Sequence, residues 1–96
     1  MWDETDGVVC TFVASWCPPC VVIEPLMEQL EKENPDITFA KLDIDDRLGL
    51  AGLFGVQQVP TVFFIRKGKI VKISTGLKSF EELSKHTKRL LPKRGT

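Results

Sequence analysis

The sequence predicts an α/β domain built on a mixed sheet of four strands flanked by helices. Two observations predict it. The first is a strand–helix–strand run over residues 8–42, where a β-branched apolar segment, an amphipathic stretch and a second apolar segment follow one another. Such a unit makes its two strands parallel, with a right-handed crossover. The second is a pair of apolar runs, 61–65 and 70–73, joined only by Arg66-Lys67-Gly68-Lys69. So short a link makes an antiparallel hairpin. A chain of 96 residues has room for one core but not two, so both pairings are expected in a single domain spanning 1–96.

The elements follow in order. Val8-Val9-Cys10-Thr11-Phe12-Val13 is apolar and β-branched throughout and reads as a strand buried on both faces. The turn Trp16-Cys17-Pro18-Pro19-Cys20 comes next. A helix then runs from Pro18 to about Glu33, since proline is tolerated in a first turn where its missing N–H is not needed. Ile23, Leu26, Met27 and Leu30 form its apolar stripe, and Glu24, Glu28, Glu31 and Lys32 face water. Pro25 is expected to kink this helix and Asn34-Pro35-Asp36 to end it. Ile37 to Leu42 is the second strand. Asp46 is placed to cap a short helix over 47–54, weakened by Gly49, Gly52 and Gly55. After the hairpin, Ser79-Phe80-Glu81-Glu82 has the capping-box pattern. The helix it opens presents Phe80, Leu83, Thr87, Leu90 and Leu91 inward, and Pro92 stops it.

Composition narrows the function. The formal net charge is zero, but residues 1–50 carry 11 acidic and 3 basic groups and residues 51–96 carry 2 and 10. The basic blocks, 66–69 and 85–94, lack interleaved exposed aromatics, so they read as solvated faces and not as a nucleic-acid surface. No apolar stretch approaches the ~20 residues of a membrane span. The acidic start, Met1 to Asp6, has neither region of a signal peptide, so a cytoplasmic site is expected. Three cysteines suit a reactive pair plus a core thiol, Cys10, better than a disulfide-stapled miniprotein. Two cysteines supply only half a structural zinc site, and no metal is expected. His86 reads as a surface or helix-packing residue.

Cys17 and Cys20, two residues apart, can close a disulfide across one turn of chain. At the junction of a strand and a helix, the first thiol faces backbone N–H groups and the positive end of the helix dipole. The thiolate is the nucleophile of disulfide exchange, so the chain reads as a redox catalyst.

These residues resemble the thioredoxin family. The match comprises Trp16-Cys17-Pro18-Pro19-Cys20, Pro25, Ala40-Lys41-Leu42-Asp43-Ile44-Asp45, Val59-Pro60-Thr61, Gly68 and Gly76, in the family's order across about 8–91. Cys-Pro-Pro-Cys is similar to the tryparedoxin and nucleoredoxin branches. The resemblance implies the strand order 37–42, 8–13, 61–66, 70–74, with helices on both faces. It implies that Cys17 attacks a substrate disulfide and that Cys20 resolves the mixed disulfide. It also implies a cis Val59-Pro60 bond beside the cysteines, with Trp16, Pro18, Val59, Pro60 and Gly76 forming the surface that binds an extended substrate. The implied function is a disulfide reductase acting on protein disulfides. A thioredoxin reductase or a low-molecular-weight dithiol recharges it, and no cofactor is needed beyond the Cys17–Cys20 pair. An oxidase or isomerase, and a binding module without turnover, stand as alternatives.

Three departures from the family pattern stand out. Pro18 occupies a position where glycine is familiar, which removes a donor near Cys17. Thr11 stands where the family has a buried aspartate, so proton transfer at Cys20 is expected to rely on water or Lys41. Lys41 itself must reach solvent, stay neutral or find another acid. The family's first strand and helix have no counterpart before Val8, which leaves 37–42 as an edge. Trp2 is expected to cover that edge, giving a monomer, or two chains to pair there as a weak dimer.

Overall fold

A computed structural model describes residues 7–44 and 58–90. The elements are β1 (Gly7–Val13), α1 (Pro18–Glu33), β2 (Thr38–Asp43), β3 (Thr61–Arg66), β4 (Lys69–Thr75) and α2 (Phe80–Lys88). One sheet holds the four strands in the order β2-β1-β3-β4. β1 and β2 are parallel, with Val8 opposite Thr38 and Val13 opposite Asp43. β1 with β3 and β3 with β4 are antiparallel. This is the mixed sheet that the sequence predicts and the strand order that the resemblance implies.

Local chemistry accounts for each element. All seven residues of β1 are buried, as its central place requires. The hairpin turns on Lys67 and Gly68, at φ 52 and 80. Two successive positive φ values are what a two-residue turn needs to match strand twist, and glycine takes the second without strain. α1 runs unbroken through Pro25. At its end, the buried Asn34 donates from Nδ2 to the Leu30 carbonyl at 2.9 Å, satisfying an acceptor the helix leaves open. At the start of α2, Ser79 Oγ accepts from the Glu82 N–H at 3.1 Å, as a capping box does.

Both described helices pack on one face of the sheet. Val9, Val62 and Phe64 from the strands meet Ile23, Met27 and Leu30 of α1 and Leu83 of α2. Each such side chain contributes about 1.5–3 kcal/mol when fully buried. The opposite face carries Val8, Cys10, Phe12, Phe63 and Ile65. The helix expected over 47–54 lies outside the described residues, as do Met1 to Asp6 with Trp2, Asp46, Leu91 and Pro92. Among the described residues no strand pairs with the outer side of β2, and none of the helices is long and apolar enough to cross a membrane.

Two non-local contacts are invisible to local pattern. A Cβ at Gly7 would meet the Leu90 Cβ at 2.8 Å, so the chain beyond α2 lies against the start of β1 at a distance only glycine allows. His86 is buried, with its ring 5.5 Å from that of Phe64. Burial, then the charges of Lys72 and Arg89, hold its pKa below the ordinary 6.5.

Two outcomes are expected. Gly7→Ala lowers stability by about 1–3 kcal/mol in urea melts, the usual cost of overpacking. His86 is neutral in the fold while the unfolded chain protonates near pH 6.5, so its contribution is whole above that pH and declines as pH falls through the lower folded value. Melts at pH 7.5 and 5.5 therefore differ in wild type, and the difference shrinks in His86→Leu.

Candidate active site

The site forms where β1 ends and α1 begins. Val13, Ala14, Cys17 and Cys20 make a small buried cluster against Val59. The Cys17 N–H donates to the Ala14 carbonyl at 3.2 Å, which tightens the turn out of β1. Cys17 is then the N-cap of α1, with extended backbone and no capping bond from its side chain. Both thiols are free, Cys17 at 4% exposure and Cys20 at 1%. Cys17 is roofed by exposed Trp16, Pro18 and Pro19. Trp16, at 65% exposure, is a surface residue and not part of the core.

The backbone around the pair is short of donors. A helix start offers four N–H groups without intrahelical partners. Here two are missing, at Pro18 and Pro19, and a third, that of Cys17, is bound to Ala14. The fourth, from Cys20, donates to the Cys17 carbonyl at 3.1 Å. The Cys17 thiol itself donates to the Val59 carbonyl at 3.6 Å. That carbonyl precedes Pro60 through a cis peptide bond. The segment is fixed on both sides. Thr61 Oγ1 donates to the Gln58 carbonyl at 2.6 Å, and the Gly76 N–H donates to the Pro60 carbonyl at 2.8 Å. Gly76 has φ 83, and nothing lies within 4 Å of its would-be Cβ. Its conformation calls for glycine, and the space beside it is open.

The two thiols differ. Burial, then a hydrogen bond with Cys17, raise Cys20 from 9.0 to about 11; a backbone hydrogen bond at Ala14 opposes this. Cys10, on the opposite face of the sheet and away from the site, is also pushed to about 11 by burial.

Thr11 is buried on β1 and pairs in register with Lys41 of β2. Lys41 has found an acid. Its Nζ lies 3.5 Å from Glu24, with the side chains 60% and 40% exposed. The sequence pattern put Glu24 in water. The parallel crossover instead lays α1 along β2, so Glu24 faces the strand. Its spacing, four residues after Cys20, was the available signal. Thr11, Glu24 and Lys41 line a groove of about 240 Å³ together with Met27 and Phe39.

Known proteins are similar to this chain in sequence and in fold. The family model for thioredoxin matches residues 2–89. A thioredoxin of Bacillus subtilis is 37% identical over 83 residues, covering 84% of this chain and 80% of that one. The solved thioredoxin of Fasciola hepatica superposes with a TM-score of 0.86 at 35% identity, over 93% of this chain and 85% of that one. A structure describing thiol resolution in yeast mitochondrial 1-Cys peroxiredoxin via glutathione/thioredoxin systems superposes with a TM-score of 0.85 at 28% identity, covering 91% and 81%.

Iodoacetamide at pH 7.5 is expected to alkylate the folded, reduced protein once, at Cys17. Cys10 and Cys20 stay buried thiols at that pH and react only after denaturation. Peptide mass spectrometry checks the assignment.

Proposed function

Starting from the fact that this chain belongs to the thioredoxin family and is a thiol–disulfide oxidoreductase, we propose that it acts as a protein disulfide reductase. Cys17 attacks a substrate disulfide, and Cys20 resolves the mixed disulfide and releases reduced substrate. The single observation that carries the direction is the donor-poor start of α1. No N–H of its first turn is left to hydrogen-bond a sulfur anion at Cys17; the Cys20 thiol hydrogen-bonds with Cys17, and the Cys17 thiol itself donates to the Val59 carbonyl. A dithiol pair is a strong oxidant when its reduced form is well stabilised. This pair lacks the backbone N–H share of that stabilisation, so it gives its electrons up more readily than a donor-rich helix start would.

The exposed Trp16, Pro18 and Pro19 supply an apolar rim around Cys17. An extended substrate lies across that rim and along the Val59-Pro60 backbone, with Gly76 leaving room beside it. The pair needs no metal or organic cofactor, because both electrons reside in Cys17 and Cys20. A thioredoxin reductase or a small dithiol returns them, and the cytoplasm is the compartment where such a donor is kept reduced.

Insulin reduction by dithiothreitol tests the reading. The wild-type protein accelerates precipitation of the insulin B chain, Cys17→Ser returns the rate to that of dithiothreitol alone, and Cys20→Ser accumulates a mixed disulfide. A wild-type protein without effect would mark a binding module instead.

A further inference from the structure

Resolution requires Cys20 to lose a proton in surroundings that favour keeping it. The thiol is buried and raised to about 11. Below it, on the face of β1 that α1 covers, the polar residue is Thr11, a buried hydroxyl that takes up no proton at neutral pH. One helical turn beyond Cys20, α1 carries Glu24, and positions four apart share a helix face. The Glu24 carboxylate is 3.5 Å from Lys41 Nζ on β2, which draws it toward the strand. Both line the groove of about 240 Å³ that reaches down to Thr11. At about 30 Å³ for each water, that space has room for ordered water beside the carboxylate.

The charged surroundings single out Glu24. On α1, Cys17 and Glu24 act on Cys20, while Glu28 and Glu31 lie farther along the groove. From β2, the facing cation is Lys41.

We propose that Glu24 accepts the Cys20 proton in the resolving step, with Lys41 as its positioning residue. The proton passes from the Cys20 thiol to the Glu24 carboxylate, directly or through water. The Cys20 sulfur attacks the Cys17 sulfur of the mixed disulfide. The Cys17–Cys20 bond forms as the bond from Cys17 to substrate breaks. The substrate sulfur leaves with that electron pair and is protonated by Glu24 or solvent. Two electrons have then moved from the dithiol to the substrate. The inference rests on the reading of Cys17 as attacking and Cys20 as resolving thiol.

Stopped-flow reaction of the reduced protein with 5,5′-dithiobis(2-nitrobenzoate) separates the steps. The first thionitrobenzoate is released on attack by Cys17 and the second on resolution by Cys20. At pH 7, Glu24→Gln slows the second release by about a hundredfold or more, the lower end of the range for loss of a general base, and leaves the first within about twofold. Glu24→Asp recovers part of the rate. The deficit of Glu24→Gln narrows as pH rises toward 10, where hydroxide replaces the carboxylate. An unchanged second phase with an unchanged pH profile overturns the role of Glu24. Equal slowing of both phases also overturns it, because a structural defect would act on both. A wild-type protein that releases only one thionitrobenzoate overturns the assignment of Cys20, and the proposal with it.

Discussion

Packing of α1 against one face of the sheet fixes where the helix begins, and therefore where both sulfurs sit. Ile23, Met27 and Leu30 seat the helix on Val9, Val62 and Phe64. With α1 held there, its first residues meet the end of β1. Cys17 has nowhere to point except toward the loop that enters β3. The site is thus a consequence of the core. A sulfur placed to an ångström or so requires a helix that cannot slide, and a close-packed apolar interface supplies that rigidity.

The same packing explains why the two thiols behave differently. Cys17 is the N-cap, at the junction of β1 and α1, buried under a rim of exposed side chains. Cys20 is three residues inside the helix, on its buried side, where desolvation penalises the anion. The two prolines between them act on the backbone more than on the surface. They begin the helix well, since neither N–H was needed for it, but they strip its first turn of donors. The loop opposite is held by Thr61 on one side and Gly76 on the other, so its carbonyl is a fixed acceptor and not a group that can rotate away.

Much of this was legible in the residues. The β-branched run 8–13, the Pro18 start and Asn34 stop of α1, the Lys67-Gly68 turn and the Ser79 cap are all local signals, and each marks an element within a residue or two. Cys17 and Cys20 were recognisable because their chemistry depends on a spacing of three along the chain. The rest depends on contacts between distant residues. Glu24 looked like one more solvated glutamate on a polar helix face, and only the crossover brings it to Lys41. His86, amid Lys85, Lys88 and Arg89, read equally as a surface or a helix-packing residue, and its contact with Phe64 decides for packing. Local pattern gives Gly7 no reason to be glycine, and only its contact with Leu90 supplies one. That both described helices share a face follows from how β1 and β3 alternate their side chains, which no single segment reveals.

The central claim is that a helix start without free backbone donors makes this dithiol a reductant. Equilibration of the Cys17–Cys20 pair with glutathione redox buffers, read by thiol trapping, measures it directly in wild type and in Pro18→Gly. The account predicts a wild-type potential below the roughly −220 to −260 mV of a cytosolic glutathione pool. It also predicts a higher potential in Pro18→Gly, which regains one donor. A hydrogen bond to a charged group contributes about 1.5 kcal/mol or more, and about 30 mV corresponds to 1.4 kcal/mol, so the rise is roughly 30 mV or greater. A wild-type potential well above the glutathione pool, or a potential that Pro18→Gly leaves unchanged or lowers, would contradict it.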